Sequence, residues 1–138
     1  MVSRAQIVAA NEATFAAWNA QDADGVATIF AEDAEIVDVA AGTVLEGRAA
    51  IRESAAALFA AFPDFHLERT MLLIDTATNS DQWVMTGTHQ GDYLGLAPTG
   101  RRIEVRGATF SEFDDDGLVT RDTHYIDVNA LLTQLSGD

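Results

Sequence analysis

The sequence holds no cysteine among its 138 residues, which excludes disulfides, thiolate zinc sites and a cysteine nucleophile. Basic residues are scarce, eight against 22 acidic ones, and the net charge is −14. A chain so charged repels phosphate backbones and anionic lipid, so neither nucleic acid nor a membrane surface is an expected partner. No uninterrupted apolar run approaches the ~20 residues of a spanning helix. Asn11 and Glu12 arrive before any signal-like apolar block forms, and a cytoplasmic location is the expectation. Phosphate-binding glycine loops, His-Glu-x-x-His, the Gly-x-Ser-x-Gly elbow and the calcium loop are all missing. What remains is 48% apolar, too much for disorder. A chain of this length buries roughly 68% of its unfolded surface, so a core needs no metal or disulfide staple. One domain over residues 1–138 is expected.

Helical and strand periods divide the chain. Residues 4–20 place Val8, Phe15 and Trp18 on one helical stripe. Asp22 or Asp24 suits the cap of a short second helix with Val26, Ile29 and Phe30 as its buried stripe. Residues 35–39 and 43–46 alternate and read as a hairpin about Ala41-Gly42. Gly47-Arg48 opens an Ala-rich third helix through Phe62, which Pro63 ends. Strands are predicted at 65–75, 82–93, 102–113 and 118–126, with Asn79-Ser80-Asp81 and Asp114–Gly117 as turns. Asp127 or Asn129 caps a last helix carrying Leu131, Leu132 and Leu135. Three helices followed by antiparallel strands predict an α+β fold. A long sheet twists and curls, and helices across its concave face enclose a pocket suited to a small ligand.

The last strand carries the most chemistry. A period of two puts Thr120, Asp122, His124 and Ile126 on one face and Arg121, Thr123, Tyr125 and Asp127 on the other. Asp122 and His124 are thus same-face neighbours. If that face lines the pocket, a carboxylate stabilises the protonated imidazole and helps fix its tautomer; the plain alternative is a solvated face. His89, between Gly87 and Gly91, is either a polar anchor at the pocket mouth or a histidine tying its strand to loop 92–100. Phe15, Trp18 and Trp83 either fill the core or wall an aromatic cavity. His66, Arg101 and Arg102 read as surface residues, and the Asp114–Asp116 run as a solvated turn rather than a metal site.

Gly87-Thr88-His89-Gln90-Gly91-Asp92-Tyr93-Leu94-Gly95-Leu96-Ala97-Pro98-Thr99-Gly100-Arg101 resembles the central signature of the SnoaL-like polyketide cyclases, of the nuclear transport factor 2-like fold. Asp116-Gly117-Leu118-Val119, then Asp127, then Leu131–Leu135 resemble that family's closing turn, strand and helix, and Glu46-Gly47 matches before the third helix. The resemblance implies a cone-shaped α+β barrel, in which a curved antiparallel sheet and three N-terminal helices enclose a pocket. It also implies a homodimer through the sheet. The implied reaction is an intramolecular aldol ring closure on a hydrophobic polycyclic or polyketide-like molecule, by general acid/base chemistry without metal, cofactor or covalent intermediate.

Carried over residue by residue, the family's acid/base aspartate falls on His124 and one of its histidines on Asp122. A second pocket histidine falls on Phe110. Trp18 and Ser54 fall on lining positions, and His89 matches the glycine-flanked histidine. Asp127 matches too, where a helix N-cap role is favoured. His124 with Asp122 is thus the expected catalytic pair, and His89, Trp18, Ser54, Phe110, Phe15 and Trp83 are the expected substrate contacts. Two further readings stand beside the cyclase. One is ketosteroid isomerase-like proton transfer, for which Tyr93 and Tyr125 are available donors although Tyr125 has the wrong parity. The other is a non-catalytic small-molecule-binding module, which apolar Phe110 favours.

Overall fold

A computed structural model describes residues 1–137. Helix α1 (Arg4–Asn19) starts at a reciprocal cap, in which Gln6 N–H donates to Ser3 Oγ at 3.1 Å and Ser3 N–H to Gln6 Oε1 at 2.8 Å. The Asp22 side chain caps α2 (Ala23–Thr28) through Gly25 N–H. Strands β1 (Phe30–Asp38) and β2 (Thr43–Glu46) form the expected hairpin and lead into α3 (Gly47–Ala61), which stops before Pro63. Then follow β3 (His66–Asp75), β4 (Thr78–Thr88), β5 (Arg102–Phe113), β6 (Val119–Ile126) and α4 (Val128–Ser136). Asp127 caps α4, accepting from Ala130 N–H at 3.0 Å.

The strands form one six-stranded sheet in the order β2-β1-β6-β5-β4-β3. Each hairpin-connected pair is antiparallel, whereas β1 runs parallel to β6. No hairpin joins those two strands, so nothing in the connection dictates their direction. The sheet is therefore mixed, not wholly antiparallel, and it stays open, with β2 and β3 as its edges. Helices α1 and α3 pack on it from one side, α1 against β3 and α3 against β1. Ile7, Phe30, Ile51, Phe59 and Phe62 are buried there, each worth roughly 1.5–3 kcal/mol in apolar burial. Among the described residues no helix is long and apolar enough to cross a membrane.

Three boundaries differ from the sequence reading. Phe30 is buried as expected but begins β1 instead of closing α2. Asn79-Ser80-Asp81 is strand, and the turn lies three residues earlier, at 76–77, where Thr76 takes φ 48°. Strand β4 ends at Thr88, because His89 N–H donates to Arg101 O and Gly100 N–H to His89 O, closing a loop. That loop crosses the end of α3 so closely that a Cβ on Gly91 would lie 2.5 Å from the Ala60 carbonyl oxygen.

Candidate active site

The concave face of the sheet presents its inward side chains in transverse rows. Asn79, Ser111, Asp122 and Ile36 form one row across β4, β5, β6 and β1. Asp81, Thr109, His124 and Asp38 form the next. All eight line a cavity of about 400 Å³ beneath the helices. Phe15 and Trp18 from α1, Ser54 from α3 and Trp83 from β4 complete much of its wall.

Trp83 is held in two ways. Its indole N–H donates to Thr109 Oγ1 at 3.0 Å, and its ring lies across Gly107, where any Cβ would come within 2.3 Å of it. Trp18 packs edge-on against Phe59 at 5.5 Å and tilts over Phe65 at 5.8 Å. These contacts give the chamber a fixed aromatic side. Ser54 sits at the exposed end of the lining.

Asp122 and His124 both line this chamber, the carboxylate buried and the imidazole about a quarter exposed. Asp122 is 7% exposed, and its Oδ1 accepts a 2.6 Å hydrogen bond from Ser111 Oγ. Its Oδ2 lies 3.7 Å from His124 Nε2, an ion-pair separation when the imidazole is protonated and beyond a direct hydrogen bond. His124 Nε2 is buried and has no protein hydrogen-bond partner, a cost that the neighbouring carboxylate offsets when the imidazole is protonated.

Asp81 escaped the sequence reading. It is 6% exposed, with Oδ2 accepting from Asn11 Nδ2 at 2.8 Å and Oδ1 buried without a partner. Arg69 Nη1 donates to Asn11 Oδ1 at 2.6 Å. Burial pushes the Asp81 carboxyl up to about 6; the Asn11 hydrogen bond opposes this, Asp122 adds to it, and His124 and Arg69 oppose it. Tyr93, at the cavity edge, is raised by burial and by Asp38. Asn-Ser-Asp composition pointed to a turn, but the alternation of Trp83 and Met85 runs back without interruption through Asp81 and Asn79 and was the available signal. Asn11 could have been found as a polar residue on the apolar stripe of α1.

The remaining expected contacts fall elsewhere. Phe110 is not a pocket residue: it lies on the convex face of β5, 53% exposed and edge-on to Tyr125 at 5.8 Å, because its register partners are Ser80 and Thr123. Tyr125 shares that outer face, as its parity required. His89 is fully buried but is not among the lining residues, so the pocket-mouth reading gives way to the tie. Its Nδ1 meets Thr99 Oγ1 at 3.0 Å and accepts from Thr99 N–H at 3.3 Å, holding loop 89–101 in place. Thr120 does not share the Asp122 face either. A bulge there shifts the register, and Val119 takes the lining position. His66, Arg101 and Arg102 are exposed as expected. Among the described residues no cluster of three or more histidines or carboxylates is placed to hold a metal ion.

The site therefore offers an imidazole and two buried carboxylates in a largely apolar chamber. All eight basic residues are arginines, and none lines the cavity among the described residues. The profile of the SnoaL-like polyketide cyclases matches residues 8–135. Cyclase aurE of Calcarisporium arbuscula is 30% identical over 121 residues, 87% of this chain and 86% of that protein. A protein described as a SnoaL-like polyketide cyclase, from Jannaschia sp. CCS1, superposes with a TM-score of 0.88 at 23% identity, over 100% of this chain and 98% of that one. A protein of ketosteroid isomerase-like fold from Catenulispora acidiphila, solved in complex with trimethylamine, gives a TM-score of 0.79 at 26% identity, over 92% of each chain.

Proposed function

Because this chain belongs to the SnoaL-like polyketide cyclase family, we propose that it closes a ring in a hydrophobic, polyketide-like molecule by general acid/base chemistry. The observation that carries the proposal is the partnerless Nε2 of His124, held beside Asp122 in an aromatic-walled cavity of about 400 Å³. That volume lies in the range of about 300–1,000 Å³ common to small-molecule sites. An imidazole with an ordinary pKa of ~6.5 in model peptides is the side chain best matched to proton transfer near neutrality.

His124 takes a proton from a carbon activated by an adjacent carbonyl. The resulting enolate carbon attacks a second carbonyl of the same molecule, and the new alkoxide takes a proton from the imidazolium, which restores neutral His124. Asp122, anchored by Ser111, orients the imidazole and balances its positive charge. Phe15, Trp18 and Trp83 supply apolar walls, Ser54 offers a hydroxyl at the mouth, and the carbonyl's own polarisation makes a cofactor unnecessary. A second copy of the chain covers the convex face of the sheet, where Phe110 and Tyr125 lie.

The test is deuterium exchange into the α-position of 2-tetralone, a bicyclic ketone, followed by NMR. His124→Ala should lower the enzymatic rate by about 10²-fold or more while the ketone still binds. Exchange at the wild-type rate in that variant would remove His124 from the mechanism. A binding-only reading draws support from the carboxylates Asp38, Asp81, Asp92 and Asp122 on the cavity wall, which suit a cationic guest such as an alkylammonium. It predicts alkylammonium binding together with no exchange of the ketone.

A further inference from the structure

We propose that Asp81 is a second proton-transferring group of this cavity, giving its proton to the oxygen of a bound ketone or ester while His124 removes one from the adjacent carbon. The proposal rests on the reading of His124 above and adds a group which that reading leaves idle.

The placement is what a concerted pair requires. Asp81 and His124 occupy one transverse row, on β4 and β6, with only Thr109 of β5 between them. Strands spaced by about 4.8 Å put their Cα atoms roughly 10 Å apart with side chains pointing the same way. A carbonyl oxygen, its carbon and the neighbouring carbon fit within that span, with one hydrogen bond at each end.

The carboxyl group is also prepared for a guest. Asn11 fixes Oδ2, and Arg69 fixes Asn11, so the group has a set orientation. Oδ1 is buried and unpartnered, on a residue that lines the cavity. The carboxylate of Asp64 differs: Thr88 occupies both of its oxygens, through its N–H and its hydroxyl. A buried polar atom without a partner is costly, and a ligand oxygen would satisfy it.

The groups facing Asp81 are Asn11 from α1, Arg69 through Asn11 from β3, uncharged Thr109 from β5, and Asp122 and His124 from β6. Burial outweighs the favourable partners, and the acid form persists to about 6. Only the protonated acid has a proton to donate. In the step, the C–H electron pair becomes the C=C bond of an enol as the proton moves to the His124 imidazole. The carbonyl π pair moves to oxygen, which takes the Asp81 proton. Imidazolium and carboxylate result, net charge is unchanged, and reversal delivers a solvent deuteron to carbon.

The probe is again 2-tetralone in deuterium oxide, joined to a carbon-13 NMR titration of the Asp81 carboxyl. A midpoint near 6 is expected, and a midpoint near 4 overturns the proposal. Because the step needs His124 neutral and Asp81 protonated together, wild-type exchange should follow a bell-shaped pH profile whose descending limb is the ionisation of Asp81. Asp81→Asn keeps a donor of the same shape and should abolish this inflection; Asp81→Ala should slow exchange by about 10²-fold or more. If both variants match wild type while His124→Ala is inactive, Asp81 has no such role and the His124 reading stands. If His124→Ala exchanges normally, or wild type is no faster than buffer, both fall.

Discussion

At the scale of single residues, the candidate site is where this protein gives up stability. Asp81 has an ordinary pKa of 3.8 and a folded value of about 6. Its acid form is thus favoured by folding. The stability this contributes is complete below the unfolded pKa and is lost as pH rises from about 4 through 6, a difference of up to ~3 kcal/mol. Asp81→Asn cannot ionise, and its amide oxygen still accepts from Asn11. It should match wild type in urea unfolding at pH 4 and exceed it by as much as ~3 kcal/mol at pH 7.5. Equal stabilities at both pH values would show that the carboxylate is well solvated in the folded chain. A gain in stability joined to a loss of exchange activity is the trade expected where a buried acid serves a reaction.

At the scale of elements, β4, β5 and β6 form the wall that sets the site, and Gly107 is its tightest point. Any Cβ there enters the Trp83 ring, so Gly107→Ala should cost about 1–3 kcal/mol by overpacking and displace the indole from Thr109. Near-UV circular dichroism and thermal melting would register both effects, and an unchanged tryptophan signal would mean the strands part easily. The same wall separates what was legible in the sequence from what was not. Period-two alternation in residues 122–126 was enough to put Asp122 and His124 on one face, because no irregularity falls between them. It failed two residues earlier, at Thr120, since a bulge adds a residue without any compositional mark. Asp81 was lost because turn-forming residue types outweighed an alternation that continued through them. Phe110 was placed in the pocket by alignment with the family, whereas its own parity, opposite to Thr109 and Ser111, already turned it outward. The six strands and four helices were readable from local pattern; the parallel pairing of β1 with β6 was not, because it joins residues some ninety positions apart.

At the scale of the whole molecule, the convex face of the sheet is the feature that one copy of the chain leaves unfinished. Leu73, Ser80, Phe110, Thr123, Val37 and Val44 form one outward row, and Met71, Gln82, Ala108 and Tyr125 the next. Leu73 is 60% exposed, Phe110 53% and Tyr125 50%, a band of large apolar side chains interleaved with uncharged Ser80, Thr123 and Gln82, a surface suited to an interface. Two effects oppose each other when copies pair through it. Burial of the band favours association by about 25 cal/mol per Å² of apolar surface, while each copy brings a net charge of −14. Salt screens the repulsion, with a Debye length of about 10 Å at 0.1 M, and leaves burial largely intact. The proposed homodimer should therefore tighten as salt rises from about 0.01 to 0.3 M, the reverse of an interface held by ion pairs. Phe110→Glu places a charge at the centre of the band and should leave a monomer in sedimentation equilibrium at every salt concentration. A wild-type chain that stays monomeric at tens of micromolar in 0.3 M salt would remove the homodimer from the proposal. Strand β6 turns His124 inward and Tyr125 outward from adjacent positions, so a partner packed on Tyr125 would stiffen the strand that carries the imidazole.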